Sequence, residues 1–373
     1  MAASFLRKTT KRFFTITTGM VAGLYLLACL VPFLDLSTWW VTGFLAIGFP
    51  YLATVLFFCF LFWLIVKPKY AIPFFIVFVL GFKQLNVLLA VNTAAVYKTA
   101  IAPNHLRIAN WNIRSFEGLV TRDKKRFIRN DVTDCITGTK ADVVCLQEFN
   151  HSYTKGQSSN NLALFTQTYP YYYFARDFKK GNGVYVSGSI IFSKYPIIDS
   201  GKIVFPGRYS ESIIYADIVQ GKDTIRIFTT HLQSFRFNRA DYEGMEQIRQ
   251  SKEEAIDASV GLVQKMKAAF IKRGQQANIV RETIDESPYP SVICGDFNDV
   301  PNSYTYAHIK GKNRNDVFLA KGLGIGRTYI ALAPTLRIDY ILPDKRFSIH
   351  QMDMVDEDLS DHIMLVADIS LKK

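Results

Sequence analysis

The sequence, 373 residues long, predicts an α/β domain preceded by transmembrane helices. Two observations predict that division. Long apolar runs dominate the first hundred residues, and from Leu106 onward short strand-like runs alternate with helix-period stretches. A third observation places the chemistry: polar residues gather where the strand-like runs end, and functional groups concentrate where loops leave a rigid sheet.

The apolar runs come first in the chain. Residues 13–34 are interrupted only by Thr, Gly and one Pro, and residues 40–66 carry no charge. Residues 71–91 form a third run, broken by Lys83, Gln84 and Asn86. A helix needs about 20 largely apolar residues to cross the hydrocarbon core, so three spans are expected. Lys83 is costly at mid-bilayer unless it snorkels or faces a partner helix. The first run is long, is followed by further spans, and shows no small-residue cleavage site, which speaks against a cleaved signal peptide. Arg7, Lys8, Lys11 and Arg12 precede the first span, and Lys67 and Lys69 separate the second from the third. The positive-inside rule then puts the N-terminus in the cytoplasm and everything after Lys98 on the non-cytoplasmic side of the plasma (inner) membrane. Trp39, Trp40 and Trp63 lie near span ends, where interfacial anchoring suits them. The expected organisation is a membrane anchor over 1–96, a linker over 97–105 containing Pro103, and a catalytic domain over 106–373.

Charge divides the same way. Of 44 basic and 32 acidic residues, the first hundred positions hold eight basic residues and one acidic residue, Asp35. The remainder keeps 36 basic against 31 acidic residues, a surplus of only five. Bulk charge therefore gives little support to a nucleic-acid partner. Cys29, Cys59, Cys135, Cys145 and Cys294 show no metal-binding spacing and read as free, buried thiols.

Within the later domain, strands are expected at 106–112, 143–146, 185–192, 212–218, 224–230, 292–294, 338–342 and 364–369. Helical spacing covers 124–138 and a long charged stretch at 241–273. The stretch PSVICGDFNDVP, residues 290–301, is the most informative. Its apolar run ends at Gly295, and Asp296 and Asn298 then fall at i and i+2. Alternation puts that carboxylate and amide on one side and Phe297 on the other. Similar polar groups close or open other strands: Asn110-Trp111-Asn112, Gln147-Glu148, Thr230-His231-Leu232, Asp339 in the run 337–342, and Ser360-Asp361-His362. Each alone reads as a strand cap or a solvated group. Six in one domain are poorly explained as accidents.

Taken together and in this order, N-W-N, L-Q-E, T-H-L, G-D-F-N, R-I-D-Y and S-D-H resemble the endonuclease/exonuclease/phosphatase (DNase-I-like) superfamily over residues 106 to about 370. The resemblance implies a four-layer α/β sandwich with two central mixed sheets. It implies a divalent-cation site at Asn112 and Glu148, with Glu148 the main ligand and Asp361 beside it. Oxygen ligands suit Mg²⁺, with Mn²⁺ as a substitute. His362 matches the histidine that contacts the scissile phosphate, and Asp339 its partner carboxylate. Asp296 matches the residue that orients or deprotonates the attacking water. Asn298 and His231 match groups that hold phosphate oxygens. Arg114 stands where some repair-type members carry an acidic residue, which argues against a strict two-metal scheme. Lys179 and Lys180, before the 181–183 turn, read as a solvated loop.

The function implied is a membrane-anchored, metal-dependent phosphoesterase acting on nucleic acid or on a phospholipid head group. Two other classes compete with it. One is an inactive binding or scaffold module on the same fold. The other is a transporter built from the spans. A decayed enzyme is expected to lose members of the polar set, and three spans are few for a transport path.

Overall fold

The computed structural model describes residues 2–93, 97–118, 128–154, 160–207, 211–250 and 255–372. The expected helical residues 124–127 lie outside them. Four helices come first: α1 (Ala2–Leu30), α2 (Thr42–Val66), α3 (Pro68–Leu80) and α4 (Phe82–Leu88). Two helical segments, Thr9–Phe33 and Thr42–Val66, are long and apolar enough to cross a membrane.

The third apolar run departs from expectation. It is not one helix over 71–91 but a pair, α3 and α4, bent by 57°. The break falls at Gly81, where an added Cβ would collide with the Tyr25 hydroxyl. The polar residues after the break are used there. Gln84 Nε2 donates to Cys29 O at 2.9 Å, and the Lys83 ammonium lies 5.7 Å from the centre of the Phe33 ring. Trp63 also differs: it is buried, stacks on Tyr70 and donates to Thr18 Oγ1 at 3.2 Å, so it packs the helices together.

The run ends in a short strand, β1 (Ala90–Val91). There follow β2 (Leu106–Asn112), α5 (Arg129–Gly138), β3 (Val143–Ser152), α6 (Leu162–Phe165), β4 (Tyr171–Phe174), β5 (Phe178–Lys180), β6 (Tyr185–Ser193), β7 (Ile197–Val204), β8 (Ser212–Gln220) and β9 (Asp223–His231). The expected single stretch at 241–273 is two helices, α7 (Arg239–Arg249) and α8 (Ala255–Asp285). The chain closes with β10 (Ser291–Asp296), α9 (Tyr304–Lys310), α10 (Val317–Lys321), β11 (Leu323–Gly324), β12 (Asp339–Pro343), β13 (Phe347–Val355) and β14 (Met364–Leu371). Strands β1, β4, β5, β7, β11 and β13 are not among those expected from the sequence.

Two mixed sheets face each other. One has the order β13-β14-β2-β3-β6-β4 with β5 beside β6, and the other β12-β10-β9-β8-β7. The pairs β2–β3 and β9–β10 are parallel, among antiparallel neighbours. Strands covered on both faces are continuous apolar runs whose side chains alternate between two cores. Val143, Cys145, Val292 and Cys294 fill the space between the sheets. Val144 and Leu146 face outward under α5 and α6, and Ile293 packs outward against Phe270 and Ala277 of α8. Helix, sheet, sheet and helix give the four layers. All five cysteines are free; Cys29, Cys145 and Cys294 are buried, while Cys59 and Cys135 are half-buried.

The apolar helices dock on the second sheet's helical layer. Leu36 is buried beside Phe270, and Phe44 meets the Phe270 ring edge-on at 5.3 Å. Asn278 Nδ2 donates to Asp35 Oδ2 at 3.1 Å, and Asn302 Nδ2 donates to Ala28 O at 3.0 Å. Arg337 Nη2 donates to Val87 O at 2.6 Å. Gly274 permits this approach, since a Cβ there would strike the backbone of Ser37. At the other end of the helices, Lys11 Nζ donates to Tyr70 Oη at 3.0 Å, and Lys67 lies over the same ring.

Candidate active site

Strand register assembles the polar residues. β9 and β10 run parallel with His231 opposite Asp296, and β10 and β12 run antiparallel with Asp296 opposite Asp339. In the facing sheet Asn112 closes β2 opposite Gln147 of β3. Gly295, at φ +150, lets β10 pass so close to β9 that a Cβ would collide with Thr230 O.

Asp296 sits at the centre and is buried. Its Oδ1 accepts from Asn298 N at 2.8 Å and its Oδ2 from Asn112 Nδ2 at 3.0 Å. Oδ2 also lies 3.5 Å from His231 Nε2 and 3.7 Å from His362 Nε2. Burial raises its pKa to about 6, Asp339 adds to the rise, and His362 and His231 oppose it. Asn298 turns the backbone at φ +51, and its Nδ2 donates to Leu232 O at 2.9 Å, tying the end of β9 to the loop after β10.

His362 Nδ1 lies 2.9 Å from Asp339 Oδ2 in a hydrogen bond, which leaves Nε2 toward Asp296. Burial works against the charged ring, but Asp339 and then Asp296 raise its pKa to about 9. His231 is treated the same way. Burial disfavours its charge, yet Glu211, Asp296 and Glu148 raise it to about 10, with Nδ1 2.7 Å from Glu211 Oε2.

Glu148 belongs to a different environment. It lies at a register shift between Leu146 and Phe149 in the β3–β6 pairing, at φ +54. Such bulges re-aim side chains, and here the carboxylate emerges 38% exposed. Its Oε1 accepts from Asn112 Nδ2 at 3.2 Å. Asp361 Oδ2 lies 3.6 Å from Arg114 Nε, so the arginine at the variable position neutralises a carboxylate of the same rim.

Asn112, Glu148, His231, Asp296, Asn298, Asp361 and His362 therefore line one pocket of about 290 Å³. Asp339 stands behind His362, buried and outside the lining. Lys179 and Lys180 are exposed in β5 and do not reach the pocket. The carboxylates nearest the opening are Glu148 and Asp361, whereas Asn112 is buried and turns its Nδ2, not its amide oxygen, toward Glu148 and Asp296. That oxygen accepts from Arg114 N at 3.0 Å and keeps a second lone pair. The two carboxylates are oxygen donors on the accessible side of the pocket, which fits a hard divalent cation. A second, buried group brings ligand atoms of Asp296, Asp339 and His362 within 4.8 Å of one another. There His362 Nδ1 is already engaged by Asp339.

Several lining residues carry no sequence motif. Arg273, from α8, is buried; its Nη1 lies 3.4 Å from Asp299 Oδ2, and its Nη2 has no hydrogen-bond partner among the described residues. Its signal was an arginine at the position between Phe270 and Ala277 on the buried helix face. The Tyr329 ring lies 4.9 Å from that of His362. Ser234, Arg236, Tyr242 and Asp299 also line the pocket, and one side of it is apolar: Phe235, Phe237, Val300, Leu332, Leu336 and Ile338, together with Ile47 of α2.

Comparison with known proteins follows the geometry. The Endonuclease/Exonuclease/phosphatase family matches residues 109–362, and a domain of unknown function (DUF8431) matches residues 11–88. No curated protein matches the sequence. An endonuclease/exonuclease/phosphatase from Beutenbergia cavernae superposes with a TM-score of 0.52 at 19% identity, covering 72% of each chain. One from Bacteroides vulgatus superposes at 0.50 and 19% identity, covering 72% of this chain and 99% of the other. These likenesses concern the fold. Proteins of the matched family are hydrolases of phosphoester bonds that typically use a divalent metal. With a family match spanning two thirds of its length and the sandwich to go with it, this chain belongs to the endonuclease/exonuclease/phosphatase family.

Proposed function

We propose that the protein is a membrane-anchored, divalent-metal-dependent phosphoesterase whose substrate is a phosphoester on an amphiphile, such as a phospholipid head group. The observation that carries the substrate class is Ile47. It belongs to an apolar helix long enough to span a bilayer, and it lines the same pocket as Asp296 and His362. At about 1.5 Å per residue, the 25 residues of α2 extend about 37 Å, against about 30 Å of hydrocarbon. If Lys67 and Lys69 mark one boundary, about five residues overhang at the other, which brings Ile47 to the head-group region. Lys11 and Lys67 meet Tyr70 at the end away from the sandwich, in keeping with an N-terminus in the cytoplasm and a catalytic domain across the membrane.

In this reading Asp296 takes a proton from the attacking water, for which a carboxylate near pKa 6 is well matched. The water oxygen bonds to phosphorus while the bond to the leaving oxygen breaks on the opposite side. His362, held charged and oriented by Asp339, donates to a phosphate oxygen. His231 and the free amide hydrogen of Asn298 hold the others, and Arg273 Nη2 offers a further donor. Glu148, Asn112 and Asp361 would hold Mg²⁺ or Mn²⁺, which when bound supplies positive charge against the phosphate oxygens. Retention of the whole polar set speaks against an inactive scaffold.

The test uses the full chain reconstituted in phosphatidylcholine/phosphatidylglycerol vesicles with Mg²⁺, and with EDTA as the control. Release of the phosphorylated head group should exceed turnover of single-stranded DNA, duplex DNA or RNA, and EDTA should stop it. Faster cleavage of nucleic acid would overturn the amphiphile assignment. Undiminished turnover in EDTA would overturn metal dependence.

A further inference from the structure

A second cavity, of about 520 Å³, lies where the membrane segment meets the sandwich. It shares no lining residue with the catalytic pocket. Its walls come from the end of the first apolar helix (Phe33), from α4 just past the Gly81 break (Lys83), from α8 (Arg281) and from α9 and the turn after it (Lys310, Lys312). Among the described residues no acidic one lines it. Arg281 is paired with Asp285 at 2.6 Å, but Lys83, Lys310 and Lys312 have no ion pair among the described residues. Of the three, Lys310 is half-buried, while Lys83 and Lys312 are exposed at the cavity's edge.

A half-buried ammonium without an ion pair, with further lysines at the same cavity, is unfavourable unless an anion joins it. Lys310 feels that cost: burial depresses its pKa, Lys345 and Lys83 depress it further, and only Asp316 opposes them. The cavity also has two textures. Phe33, Pro32 and Val87 give it an apolar side toward the helices, where Lys83 also stands, and Arg281, Lys310 and Lys312 give it a cationic side toward the domain. Lys83, which lies near the Phe33 ring, stands at the edge of this cavity.

We propose that this cavity is a phosphate-binding site at the membrane boundary, with Lys83, Lys310 and Lys312 as its cationic contacts. The bound group is a phosphate monoester or diester, reaching the cavity either as the head group of an anionic lipid or as a free phosphate compound. The site is separate from catalysis and stands whatever the catalytic pocket hydrolyses.

The experiment uses the full chain in neutral detergent, carrying Asp296→Asn so that bound lipid persists. Binding of short-chain phosphatidylglycerol is followed by native mass spectrometry, and binding of inorganic phosphate by calorimetry. Each is compared with the same protein carrying Lys310→Gln and Lys312→Gln. A matched control, Lys179→Gln with Lys180→Gln, removes two exposed charges elsewhere. Juxtamembrane lysines each contribute measurably to anionic-lipid binding, so the cavity variant should weaken phosphatidylglycerol binding by about tenfold or more while the control does not. That result identifies a lipid head group. Loss of inorganic phosphate binding in the cavity variant, without any lipid effect, supports the site with a free phosphate compound as its ligand. If neither ligand distinguishes the cavity variant from the parent, or if the control loses as much, the proposal is overturned.

Discussion

The candidate catalytic pocket has two walls of different origin. The polar wall consists of strand ends: His231, Asp296, Asn112 and Glu148 are placed by register and by one bulge, within a few ångströms of one another. The apolar wall is assembled from Ile47 of a membrane-type helix, Phe235 of a loop, and Leu332 and Leu336 of another. The first wall is rigid because a sheet holds it, and it suits chemistry that must be preorganised. The second depends on how the helices dock, and it suits recognition of whatever the reacting phosphate is attached to. Damage to the polar wall should therefore appear in turnover, and damage to the apolar wall in the choice of substrate.

The largest effect is expected from Asp296→Asn. It keeps the shape of the centre and removes the base, so kcat should fall by about 10³- to 10⁴-fold with the thermal melt little changed. A variant retaining a tenth of its turnover would remove Asp296 from the proton transfer. Glu148→Gln should follow, losing about 10²- to 10³-fold, because charge stabilisation by a bound metal is worth several kcal/mol. Its signature is a raised Mg²⁺ requirement, read by titrating activity against the metal. An unchanged requirement would move the cation elsewhere, with Asp296, Asp339 and His362 as the alternative set.

Next come His362 and Asp339. His362→Ala should lower kcat by about 10²-fold and leave the Mg²⁺ requirement alone. Asp339→Asn should cost less and act through the ring. The carboxylate holds His362 charged up to about pH 9, so that charge is present below this pH and lost above it. Without the carboxylate the pKa falls, and the alkaline limb of the kcat profile should move to lower pH. The double variant should be little worse than His362→Ala alone, and additive losses would show that the two do not act as a pair.

The two walls also differ in how far the sequence discloses them. Strands such as 143–146 and 292–294 were legible because strands covered on both faces read as continuous apolar runs. β7 was not, because its residues alternate only weakly between half-buried and exposed. The bend at Gly81 was hidden because the Tyr25 ring, which packs against it, lies on another helix. The polar wall was legible because each strand end is a short local pattern such as G-D-F-N or S-D-H. Glu211, which meets His231, has no such pattern, and neither does Ile47. What places them is tertiary docking between segments far apart in the chain, which no local spacing records.

The smallest expected effect tests the apolar wall directly. Ile47→Ala removes three carbons from a half-buried side chain that packs beside Val300 and Ile338. Lost apolar contact of this size is worth about 1–2 kcal/mol when the partner is itself apolar, or roughly a factor of 5 to 30 in kcat/KM. A phosphoester on an acyl-chain amphiphile should feel that loss, since its hydrophobic arm would lie against this wall. A small soluble diester such as bis(p-nitrophenyl) phosphate has no such arm and meets only the polar wall. The quantity to measure is therefore the ratio of the two specificity constants, in the same vesicles and at the same Mg²⁺ concentration. A fall of severalfold in that ratio, carried by KM, would make the wall a recognition surface. Equal losses on both substrates would mean that Ile47 only braces the loops bearing Val300 and Ile338, and the case for an amphiphilic substrate would lose the observation on which it stands.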